Sequence, residues 1–132
     1  MLVKPLSIKP LGANQNTFMI KENYLVNGFR YGIGNTDGSR NIVFWDTESG
    51  GTLYLTSGSN WLTIGSFSNV IFTYDATTQT AKVFMDDVEV GSLVGTYSPA
   101  TDKTLYISGN CCGTGGTNSV IDEIKVYDYA LR

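Results

Sequence analysis

The stretch FSNVIFTYDATTQTAKVFMDDVEVGS, residues 67–92, decides the fold class. Side chains alternate across a strand, so Val70, Phe72 and Tyr74 share one face of Asn69–Tyr74, and Asn69, Ile71 and Thr73 share the other. In Ala81–Met85 the faces are Ala81, Val83 and Met85 against Lys82 and Phe84. One wholly apolar face and one mixed face describe a sheet packed on one side and partly open to water on the other. DATTQT, residues 75–80, reads as the turn between these strands. Asp86-Asp87 reads as a two-residue turn into Val88–Val90, because aspartate tolerates left-handed backbone.

The same pattern extends outward. Leu2–Ile8, Phe18–Lys21, Phe29–Gly34, Asn41–Asp46, Thr52–Thr56, Thr104–Ser108 and Val120–Tyr127 all read as strands. NTDGSR, residues 35–40, closes a hairpin between the third and fourth strands, with Asp37-Gly38 supplying the positive-φ turn. Trp45, inside the apolar run Ile42–Trp45, is expected in the core. No long window keeps helical periodicity. Ten short strands with turn chemistry between them predict an all-β sandwich or barrel.

Composition bounds the function. A chain of 132 residues, 42% of them hydrophobic, supports one domain over 1–132, and 16 aromatic residues exclude a disordered segment. Fifteen glycines and 16% charged residues fit many tight turns. A net charge of −3 without a basic cluster argues against nucleic acid and acidic lipid headgroups. Ile42–Trp45 is far too short for a membrane span. Met1-Leu2-Val3-Lys4 does not read as a signal peptide, so the chain is read as a mature or excised piece. There is no histidine, which removes the usual general base, the Ser-His triad and the commonest zinc ligand.

Three tags in order carry a family resemblance. Phe67–Ser92 is similar to the middle of laminin-G-like, concanavalin-A-like lectin/glucanase jelly rolls, which reads W-H-x-V-A-x-T-Y-D, a turn, V-D-G, then V-x-V-G-S. VIDEIKVYDYAL, residues 120–131, resembles their terminal I-D-E-V-R-I-Y-x-x-A-L, and LVKPLSI, residues 2–8, resembles their W-V-K-P strand. Phe67 stands where that tryptophan usually sits, Ser68 replaces the histidine and Asp87 the glycine. The resemblance implies a jelly-roll sandwich of two antiparallel sheets. It also implies one or two earlier strands, one pairing with the terminal strand, that this chain lacks. An edge left open in this way invites a second copy or a partner segment.

The fold includes glycosidases, but these need two facing carboxylates. MDDVEV, residues 85–90, spends Asp86 and Asp87 on a turn, and Asp122 and Glu123 point to opposite faces of a strand. The chain is therefore read as no enzyme. Asp122 is expected, as in the family, to accept backbone hydrogen bonds near a sheet edge. NTDGSRN, residues 35–41, is faintly like a calcium loop but holds a single carboxylate, Asp37, so the ordinary hairpin reading competes with it. Calcium stays open on family grounds, and no other cofactor is expected.

Sugars are held by aromatic rings under their C–H faces and by amides at their hydroxyls. Trp61, in SGSNWLTIGS, and loop-borne Tyr97 are the candidate rings, with Asn110 and Asn118 as amides. Against each stands the plain reading of a solvent-facing side chain without function. Cys111 and Cys112, the only cysteines, lie in SGNCCGTGG, residues 108–116. Zinc would need more ligands, and the adjacent spacing excludes a C-x-x-C motif. Two free thiols, intermolecular pairing and a strained vicinal disulfide remain. The last would form a flat apolar plate suited to a sugar ring. The resemblance implies a non-catalytic recognition module, carbohydrate-binding, on a secreted, cell-surface or virion protein. A structural or adhesion domain that binds protein is the competitor.

Overall fold

The computed structural model describes residues 1–7, 17–23, 27–34, 41–46, 54–56, 62–97, 102–108 and 118–128. Ten strands fall in them, and no helix occurs among the described residues. They are β1 (Leu2–Ser7), β2 (Thr17–Asn23), β3 (Asn27–Gly34), β4 (Asn41–Asp46), β5 (Tyr54–Thr56), β6 (Ser68–Asp75), β7 (Thr80–Met85), β8 (Val88–Val94), β9 (Tyr106–Ile107) and β10 (Asn118–Asp122). Every pairing is antiparallel. One sheet runs β10-β1-β6-β7-β8 and the other β5-β4-β3-β2-β9, so the chain passes repeatedly between two five-stranded layers.

The expected faces are realised in register. Val70 pairs with Met85, Phe72 with Val83 and Tyr74 with Ala81. Val70, Ala81, Val83 and Met85 are buried with Val3 of β1, Leu62 and, from the facing sheet, Phe18 of β2. Phe18, with Met19 packed partly buried beside the core, brings the second layer into it. Asp86 and Asp87 take φ of 48° and 67°, so both turn residues are left-handed, and Asp86 accepts the Asn69 N–H at 2.7 Å. At the other end of β6, the Asp75 carboxylate accepts the Thr77 N–H at 2.8 Å and closes the β6–β7 turn. The β3–β4 hairpin pairs through Gly34 and Asn41, and its turn, with Asp37, lies outside the described residues.

A bulge in β8 corrects a simple alternation. Val83 pairs with Gly91 but Phe84 with Glu89, so Val90 is the extra residue. The slip lets Val90 pack against the core and puts Glu89 on the outer face, where it pairs with Lys82 at 2.8 Å.

Two expectations are revised at the C-terminal strand. β10 ends at Asp122 rather than continuing to Tyr127, because Glu123 adopts φ of 50° and leaves extended geometry. β10 also takes β1 itself as its neighbour, with Val120 opposite Lys4 and Asp122 opposite Leu2. Its outer side has no strand among the described residues.

Candidate functional site

Strand parity decides which side chains leave the sandwich. Val3 and Pro5 of β1 point inward and are buried, so Leu2 and Lys4 lie on the outer face, and Leu6, at the register shift that follows, is exposed. Val3 pairs with the buried Ser68, and one step further Phe67 comes opposite Lys4. The Lys4 ammonium sits 4.9 Å from the Phe67 ring centroid, a cation–π contact. Phe67 remains 45% exposed, enough for a ligand to reach the ring. Val120, on the other side of Lys4, is also exposed, so Val120, Lys4 and Phe67 form one row across the outer face.

Two chain segments are anchored where β1 ends. The Gly65 N–H donates to the Pro5 carbonyl at 2.7 Å, holding the exposed turn 63–67 beside β1. Leu62 at its base is buried, which fixes the entry of that turn into the core. On the other flank, Asn118 Nδ2 donates to Ser7 Oγ at 2.7 Å. The turn 63–67 and Asn118 are therefore tied to the same three residues, Pro5 to Ser7.

Tyr97 goes elsewhere. It packs against the core, with its ring edge-on to Tyr74 at 5.5 Å. Its N–H donates to the Tyr74 hydroxyl at 3.1 Å, and that hydroxyl donates to the Gly95 carbonyl at 3.0 Å. Tyr97 is half-buried in a hydrogen-bonded corner. From Ser7 to Leu2 is five strand steps, and from Asn69, opposite Leu2, to Tyr74 is five more. Ten steps at about 3.3 Å separate Asn118 from Tyr97 by about 30 Å. The structure does not bring these two candidates together.

Trp61, Asn110, Cys111 and Cys112, with the proposed vicinal disulfide, lie outside the described residues, as does the side chain of Trp45. Lys4 and Phe67 were not among the residues singled out for binding. The signal was present: the buried Val3 and Pro5 fix Lys4 outward, and the polar Ser68 next to Phe67 marks its change of side.

The carboxylates give no sign of general acid chemistry where their titration is perturbed. Asp75 is held below its usual range by the Thr77 backbone N–H, and Asp102 and Glu123 by the neighbouring Lys103 and Lys125 ammonium groups. A general acid needs the opposite shift. Asp122 accepts a backbone N–H, that of Glu123 at 2.8 Å, as expected near an edge, but it is exposed rather than buried. Among the described residues no three potential metal-ligating side chains gather.

A family model, the laminin G type of the concanavalin A-like lectin/glucanases superfamily, matches residues 5–132. No curated protein and no solved structure matches the chain.

Proposed function

The chain belongs to the concanavalin A-like lectin/glucanases superfamily, and we propose that it is a non-catalytic recognition module that binds carbohydrate at the end of the sandwich where β1 stops. The observation that carries this reading is the exposed Phe67 ring under Lys4, beside the Asn118–Ser7 pair. Phe67 offers a face for sugar C–H groups, while Lys4, Asn118 and Ser7 offer partners for hydroxyls. Trp61, adjacent to Leu62 in sequence, and Asn110, Cys111 and Cys112, six to eight residues before Asn118, are the further candidates of this reading. Tyr97 serves the fold in this reading.

A glycan array probed with a multivalent display of the chain tests it, since single lectin sites bind weakly. Binding is expected, with a loss of roughly tenfold or more for Phe67→Ala. Changing Cys111 and Cys112 to serine is expected to weaken it further. The adhesion reading draws on Leu6 and Ile64, each 48% exposed beside this end, because aliphatic side chains suit a protein partner better than a sugar. An array without signal would favour that reading.

A further inference from the structure

Lys82, Lys103 and Lys125 each stand within 3.2 Å of a carboxylate, those of Glu89, Asp102 and Glu123. Lys4 differs. No carboxylate pairs with it among the described residues, and its ammonium lies over the Phe67 ring instead. Asp122 is one diagonal away on the same outer face, opposite Leu2, but its Oδ1 accepts the Glu123 N–H. A ring face draws a cation without neutralising it, so the Lys4 N–H donors remain available to an anion. We propose that Lys4 is a movable cover on the Phe67 ring and selects sugars that carry a carboxylate, uronic or sialic acids, over neutral ones. This rests on carbohydrate binding at the β1 end of the sandwich.

The two partners differ in how firmly they are held. Ser68, next to Phe67, is buried and pairs with Val3, while the Gly65 N–H holds the preceding turn on the Pro5 carbonyl. The Phe67 backbone is thus pinned from both sides. The Lys4 ammonium sits at the end of a flexible four-carbon stem, so it is the part that moves. A pyranose that stacks on the covered ring face must displace it. Breaking an exposed cation–π contact costs about two- to fivefold in affinity. A neutral sugar bears that loss and returns only hydroxyl acceptors to the ammonium. A carboxylated sugar returns a charge-assisted hydrogen bond, roughly twice as strong as a neutral one, so the displaced cation is re-paired on the ligand itself. Heavily sulfated or phosphorylated polymers suit the site less, because a chain of net charge −3 repels many negative charges while a single ammonium meets one.

A glycan array carrying matched termini, glucuronate against glucose and sialate against its methyl ester, tests the proposal with multivalent displays of the full chain and of Lys4→Ala. Thermal melts confirm that the variant folds. The native chain is expected to favour the carboxylated member of at least one pair by roughly tenfold, and the pair that responds tells uronic from sialic acid. Lys4→Ala is expected to bring that ratio to about one from both directions, weakening the charged terminus and strengthening the neutral one by up to about fivefold as the ring is uncovered. Lys4→Arg is expected to keep the preference. Equal binding of charged and neutral termini by the native chain, a preference that survives Lys4→Ala, or a variant that loses both termini alike would each overturn selection by Lys4 and leave carbohydrate binding standing. An array without signal for any glycan would overturn both.

Discussion

The two ends of the β1–β6–β7–β8 sheet use aromatic residues in opposite ways. At one end Tyr74 and Tyr97 lock edge to face, and a single hydroxyl bridges the Gly95 carbonyl and the Tyr97 N–H. At the other end Phe67 is 45% exposed, with the Lys4 ammonium over its ring. Both Tyr97 and Phe67 sit just outside a strand, so lying in a connecting segment does not make an aromatic a binding residue. Parity with the neighbouring strand does. Tyr97 follows a strand that delivers it to the inner face, where Leu93 packs on the core, and Phe67 precedes one that turns it outward.

The sharpest way to break this contrast is to truncate each ring. Tyr97→Ala is expected to lower unfolding free energy by about 2–3 kcal/mol in a denaturant titration, somewhat under the full cost of a buried aromatic because the ring is half-buried. Tyr74→Phe keeps the ring and removes the bridging hydroxyl, so a smaller loss of about 1–2 kcal/mol is expected. Phe67→Ala should cost less than about 1 kcal/mol, the scale of an exposed cation–π contact, while glycan binding falls. Equal losses for Tyr97→Ala and Phe67→Ala would show that both ends are structural.

The turns at the two ends sharpen the comparison further. Asp87, which replaces the glycine usual in similar sequences, holds a left-handed φ of 67°. Asp87→Gly is expected to raise stability by up to about 1 kcal/mol. Asp86→Gly relieves the same geometry but loses the acceptor for the Asn69 N–H, so it should gain less. The smallest effect is titration of Asp75. Its carboxyl is lowered from the ordinary 3.8, so the folded state favours the charged form. That contribution is complete above about pH 4 and fades as pH falls through the lowered value. Asp75→Asn should therefore flatten the acid side of a melting-temperature profile slightly.

Much of the architecture could be read from side-chain alternation. The β6–β7 faces lie where the pattern of Val70, Phe72, Val83 and Met85 put them, since period two leaves little choice once one face must be buried, and the left-handed Asp86-Asp87 turn and the strand β4 lie where their own residues put them. The C-terminal strand was over-extended because Ile124, Val126 and Tyr127 keep a strand-like composition, whereas the backbone turn at Glu123 is a single-residue event with no compositional mark. The bulge at Val90 was equally silent.

Alternating polarity thus specified the strands, the inward residues of β6 and β7 and the turn between β7 and β8, because burial energy follows each residue's own side of the pleat, while the choice of a two-layer sandwich over a barrel came from the family resemblance. Alternation could not specify which distant segments meet. That Gly65 and Asn118 both anchor on Pro5 to Ser7, that Tyr97 lies about 30 Å from Asn118, and that β10 has a single strand neighbour among the described residues all follow from strand order and register. Those are set by hydrogen bonds between residues far apart in the chain, such as Ser7 and Asn118, and no local pattern encodes them.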